Sequence, residues 1–410
     1  MNSTNHTTGQ TTRGNARRGV LVKATALALA IATFASVQQD ASAQADPDLA
    51  RRQAKRMYDR LTGTPPSPQM LAQLELLVAA DPTNAALFIM NNSSTFYSVT
   101  LKNFATPWTN RDQTVFAPLN DYTATVIGIV RDDADFRGIL SDDVVYVGQG
   151  ITPAYSTTSN AHYEAMESNN ADLKALLQAT TQSSLNGLPP GATAGIITSR
   201  AASEAFFIDG TNRAMFRFTL LNHLCHDMEQ VHDTSRPPDR IRQDVTRSPG
   251  GDSSLFLNNC IGCHSGMDPM AQAFAYYDFD ETQGRLVYTQ GQVQPKYLIN
   301  VDNFKPGYVT ADDHWENRWR LAGKNTLLGW AGQDNQIRSG NGAKTLGQEL
   351  ANSDAFAVCQ VEKVFRQVCL RRPSDRPDID QIELIVGEFK SSGYKLKTAF
   401  AGAAAWCAGN

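Results

Sequence analysis

Five consecutive residues, Cys260-Ile261-Gly262-Cys263-His264, constrain this chain more than any other feature. Two cysteines three positions apart lie on one side of a helical turn, with the histidine beside them. Cys-x-x-Cys-His is the attachment site for c-type haem. There the two thiols add across the haem vinyl groups, and the imidazole ligates the iron as proximal ligand. The pattern therefore predicts one covalent haem c on Cys260, Cys263 and His264. It occurs once, which disfavours multihaem wires and dihaem peroxidases. Two other chemistries use a Cys-x-x-Cys. A thioredoxin-like pair usually opens a helix after a β-strand, and nothing β-like precedes Cys260. A zinc site needs a second Cys or His pair at suitable spacing, and none follows.

Covalent haem of this kind is attached on the exported side of a membrane, and the N-terminus agrees. Arg13, Arg17, Arg18 and Lys23 form a basic region, Ala24 to Val37 an apolar one, and Ala41-Ser42-Ala43 or Ala43-Gln44-Ala45 a small-x-small cleavage site. Residues 1–45 are read as a secretory signal. The apolar run is shorter than the ~18–20 residues that a spanning helix needs. Removing residues 1–45 takes away four basic residues and one acidic one, so the charge falls from −4 to −7. With that charge and no basic block, nucleic acid is not an expected partner. A periplasmic or secreted protein follows, with no membrane span after signal removal and a periplasmic redox protein as its partner.

The second iron ligand is open in the sequence. Small soluble cytochromes c usually supply a methionine several dozen residues after the motif, yet Met267 and Met270 are the last methionines here. His314 is the only later histidine; Met228, His223, His226 and His232 are the upstream candidates, and an unfilled position is the remaining option. Met215, Phe218, Leu221, Leu224, Cys225 and Met228 recur at helical spacing, so a helix over Arg213–Met228 puts Met228 on an apolar face. His223 and His226 fall on its more polar face and are read as solvated. Arg285 is a candidate partner for a haem propionate. Asp268, before Pro269, is read as a helix start.

Beyond the motif, Met267-Asp268-Pro269, the apolar stretch to Phe274, Asp278 and Gly284-Arg285 continue a pattern. It resembles the cytochrome segment of planctomycete-type cytochrome-c-like proteins, multi-domain chains built largely of domains of unknown function. Arg60-Leu61-Thr62-Gly63-Thr64-Pro65-Pro66 is similar to that family's N-terminal helix-breaking motif, and Gly387 to Leu396 to its C-terminal domain. Gly195 to Thr198 and Asn212-Arg213 match an intermediate element more weakly. The likeness is strong over about residues 255–286, and a further N-terminal cytochrome domain often found in the family is absent. The resemblance implies an exported haem protein and supplies no substrate.

A chain of 410 residues predicts two or three domains. The expected order is a helical N-terminal domain over 46–233, a loop-rich haem segment over 234–350 and a three-helix unit over 351–410, a mainly α fold. Helices are expected at 95–104, 117–130 and 171–180, one strand at 143–147, a linker at 234–251 and a short hairpin within 285–303. Asp46-Pro47 and Ser67-Pro68 open the first two helices, and Gly63 closes the first. Ser353–Leu370, Ile379–Phe389 and Leu396–Cys407 form the C-terminal unit. Cys225, Cys359, Cys369 and Cys407 remain for disulfides. Ten residues on one helix hold Cys359 and Cys369 ~15 Å apart, beyond the ~7 Å limit for a bridge. An up-down-up unit then pairs Cys369 with Cys407, leaving Cys225 with Cys359. No hydrolase triad, phosphate loop or paired-carboxylate signature stands out. Three functions are thus open: a single-haem electron carrier, a haem enzyme or small-ligand sensor with an open or weakly held sixth iron position, and a non-redox binding module.

Overall fold

The computed structural model describes residues 48–208, 210–235, 254, 256–298, 310–321, 328–330 and 337–409. The signal region, nearly all of the expected linker and the end of the 285–303 stretch lie outside them. Within them the protein is mainly α, with strands only in short antiparallel pairs. Among the described residues no helix is long and apolar enough to cross a membrane.

Local chemistry sets the first helices. Helix α1, Leu49–Thr62, ends at Gly63, whose φ of 70° is costly for a side-chain-bearing residue. Helix α2, Pro68–Ala80, starts with Pro68 in its first turn and the Ser67 hydroxyl accepting from the Met70 amide. Asp81 caps helix α3, Pro82–Asn92, in the same way. Helix α4, Asp121–Arg131, starts four residues later and ends one residue later than the expected 117–130 helix and is almost wholly buried.

The expected helix over 171–180 is instead one turn, Leu173–Leu176, followed by strand β2, Leu177–Thr180. It pairs antiparallel with β1, Val145–Gly148. Of the four β2 residues only Leu177 is buried, so little side-chain packing rewards a longer helix, and the β1 edge supplies backbone partners. Helix α5, Arg200–Phe206, precedes α6, Arg213–Leu224. The helix expected to reach Met228 stops at Leu224 because Cys225 is left-handed, with φ 56°. Its thiol is bonded to Cys359.

The motif lies on α7, Ile261–Ala271, entered through a π-helical turn at Phe256–Cys260. Asp268 does not start a helix, contrary to the sequence expectation. It lies inside α7, and Pro269 follows in the last turn, where its missing N–H leaves the Ser265 carbonyl without its helical donor. A hairpin of β3, Tyr277–Asp280, and β4, Arg285–Tyr288, comes next, beginning earlier than expected. Strand β5, His314–Asn317, pairs with β6, Arg338–Asn341, and lies against α7.

Helix α8, Gly342–Ala351, leads into the C-terminal helices α9, Asp354–Cys369, α10, Arg376–Ser391, and α11, Leu396–Ala408. The second disulfide joins Cys369 to Cys407 across α9 and α11. Both pairings are those the helix geometry predicts. Residues 46–410 form one compact unit, so the three expected segments share a core. The Phe400 ring of α11 meets Phe96 and Phe104 at 5.2 and 5.4 Å. Arg60 of α1 donates to the Cys407 carbonyl at 2.7 Å, satisfying an end of α11 that the helix cannot satisfy itself.

Candidate functional site

Helix α7 has two unlike faces. At 100° per residue, Cys260, Cys263, His264 and Met267 project to one side, and Gly262, Ser265 and Gly266 to the other. The glycine side is buried, whereas Cys260, Cys263 and His264 are only partly so. A Cβ on Gly262 would lie 2.3 Å from Nε2 of His232, and one on Gly266 would lie 2.1 Å from Nε1 of Trp319. Both glycines are therefore required for close approach. The chain after α6 is tied to the same side: the Asp233 amide donates to the Gly262 carbonyl at 3.1 Å, and the Ser265 hydroxyl donates to the Asp233 carbonyl at 3.1 Å. On the motif side Met267 is buried as well, while Cys260, Cys263 and His264 keep partial exposure.

The thiols of Cys260 and Cys263 are free, while the other four cysteines are bonded in pairs. Burial first, then the carboxylates and thiol of Glu229, Cys260 and Asp227, pushes the Cys263 thiol above its usual range. A nucleophilic or redox-active cysteine needs the opposite shift, so a thioredoxin-like role does not fit. Among the described residues no group of three or more His, Cys, Asp and Glu side chains is arranged to hold a bare metal ion. Two free thiols and an imidazole on one helix side fit a porphyrin, which brings its own four nitrogen ligands to the iron.

No family model, no curated protein and no solved structure matches this chain. Its chemistry must be read from its own side chains. His264, with 19% of its side chain exposed, has Nδ1 at 3.1 and 3.2 Å from the two carboxylate oxygens of Asp268, which is fully buried. Arg213, the first residue of α6, grips that carboxylate from Nε at 2.8 Å and from its second nitrogen, Nη2, at 3.3 Å. An acceptor on Nδ1 directs ligation to Nε2. Sequence reasoning missed both partners. The His-x-x-x-Asp spacing was the available signal, since residues four apart on a helix are neighbours.

The other candidates are scattered. Met228 is buried in the core, and its carbonyl accepts from Sγ of Cys263 at 3.5 Å. His314 is exposed on β5, beside α7. Arg285 is exposed at the hairpin tip, next to Gly284, which abuts the Thr158 carbonyl. Neither Arg285 nor His314 hydrogen-bonds to the motif among the described residues. His226 is half-buried, with Nδ1 2.6 Å from the Leu224 carbonyl. His232 packs on the glycine side of α7, away from the thiols. His223, expected at the surface, is fully buried, with Nε2 2.8 Å from the Tyr122 hydroxyl. Helix α6 packs against both α7 and α9, and His223 lies on a buried side of it, while Arg217 stays exposed.

Proposed function

We propose that this chain is an exported single-haem c-type cytochrome that passes single electrons to a periplasmic or secreted protein partner. One observation carries the reading: two free thiols and a carboxylate-held imidazole share the only partly exposed side of α7. Haem bound there supplies a one-electron iron couple. Cys260 and Cys263 anchor it, so it cannot dissociate outside the cell. His264 ligates through Nε2, and Asp268 holds the ring in that orientation. Two disulfides are in keeping with an oxidising compartment. The likeness of residues 255–286 to the planctomycete-type cytochrome segment supports the same assignment.

A second reading, a haem enzyme or small-ligand sensor with an open sixth position, is favoured by the carboxylate on His264, because a strengthened proximal ligand suits reactive iron. Absorption and EPR spectra of the haem-loaded protein, with and without carbon monoxide, separate the two. Low-spin iron that ignores carbon monoxide is expected for the carrier, and His314→Ala and Met228→Ala then identify the second ligand. High-spin iron that binds carbon monoxide rapidly moves the assignment to the enzyme or sensor. Protein without covalent haem, made in cells that attach haem to other cytochromes, sinks both.

A further inference from the structure

We propose that Asp268, held by Arg213, is the positioning residue that fixes the His264 ring and lowers the reduction potential of the iron it would ligate. The inference rests on the haem reading above and adds to it what tunes the site.

Three observations carry it. Asp268 is fully buried, and an ionised carboxylate there is tolerated only with a charged, hydrogen-bonded partner. Arg213 is that partner: its two-nitrogen grip holds both carboxylate oxygens in one plane. Arg213 is itself fixed by the residue before it. Asn212, left-handed at φ 58°, donates from Nδ2 to the carbonyls of Phe274 and Tyr277 at 2.9 and 2.8 Å, which pins the start of α6 to the chain leaving α7. The last step is the hydrogen bond itself. Nδ1 of His264 donates to the Asp268 carboxylate, and that fixes the tautomer, the ring orientation and a more basic Nε2.

A more basic imidazole stabilises oxidised iron over reduced iron, and the negative carboxylate acts in the same direction. Arg213 offsets part of the charge but leaves the hydrogen bond in place. Charge and hydrogen bond can therefore be separated by experiment.

The test uses the full haem-loaded chain as wild type, as Asp268→Asn and as the charge-neutral pair Arg213→Gln with Asp268→Asn. Covalent haem per chain is counted on denatured protein, and midpoint potentials are read by spectroelectrochemistry. Asp268→Asn should move the equilibrium toward reduced iron at least tenfold, which is about 59 mV for one electron. The charge-neutral pair should keep a shift of the same sign, and it carries the measurement if the single variant does not fold. A charge-neutral pair that returns to the wild-type potential, or an unchanged Asp268→Asn, would overturn the inference and leave the haem assignment standing. Wild-type protein without covalent haem would overturn the function proposed above and this inference with it.

Discussion

The two ends of helix α6 treat charge in opposite ways. At its start, Arg213, Asp268 and His264 form a compensated chain in which cation, anion and imidazole each have a partner, and the arginine and imidazole keep some contact with water. At its end, His223 is fully buried and bonded to the neutral Tyr122 hydroxyl. Beside it the Lys363 amine donates to the Asn222 carbonyl and lies 3.5 Å from the Trp108 ring centre. Burial pushes His223 well below its usual range, with Lys363 adding to the effect, and burial pushes Lys363 down as well, with help from Arg366. One helix thus presents an imidazole neighbourhood built around charge and another that suppresses it. The difference lies in the partner: a carboxylate can sustain charge away from bulk water, and a phenol cannot.

Breaking the charged end should cost most. Asp268→Leu removes the buried carboxylate that Arg213 and His264 share and should destabilise the fold by about 3 kcal/mol in urea unfolding, the low end for a broken buried pair because Arg213 reaches water. The next effect belongs to the neutral end and is read with pH. His223 has a depressed pKa when folded, so the unfolded chain binds the extra proton first, and stability falls as pH drops below about 6.5. Between pH 7 and pH 5 that loss should be about 2 kcal/mol, and His223→Gln should flatten the slope over that window. An unchanged slope would mean that His223 takes up its proton while folded.

Smaller changes sharpen the contrast. Tyr122→Phe removes the partner of Nε2 and should cost about 1–2 kcal/mol in the same assay. Lys363→Met removes a buried amine and keeps its volume, so stability should hold or rise by about 1 kcal/mol. A loss of several kcal/mol there would show that the bond from the amine to the Asn222 carbonyl outweighs the cost of burying it.

Much of the frame was legible because it depends on neighbours in sequence. Gly63 and Ser67-Pro68 act within one helical turn, and the helices they bound appear where their spacing puts them, whereas the helix Pro82–Asn92 capped by Asp81 was not expected. The two disulfides followed from α9, on which Cys359 and Cys369 are too far apart to bond, together with the up-down-up order of the last three helices. Where long-range partners decide, local reading failed. Residues 177–180 pair with β1 across some thirty positions, and nothing in their own pattern announces it. His223 reads as a polar-face residue until α6 packs against both α7 and α9. Asp268 before proline reads as a cap, yet α7 runs on past it because Arg213 compensates its burial.

The sequence by itself determined the reactive group set. Cys260, Cys263 and His264 are five-residue neighbours, and their chemistry depends on covalent spacing that no fold can alter. Only the tertiary structure decided which side of that helix faces outward, which carboxylate holds the imidazole and which histidines are withdrawn into the core. Those outcomes depend on contacts between segments fifty or more residues apart, Arg213 with Asp268 and His223 with Tyr122. Such contacts form when the core packs, and packing responds to the whole chain at once.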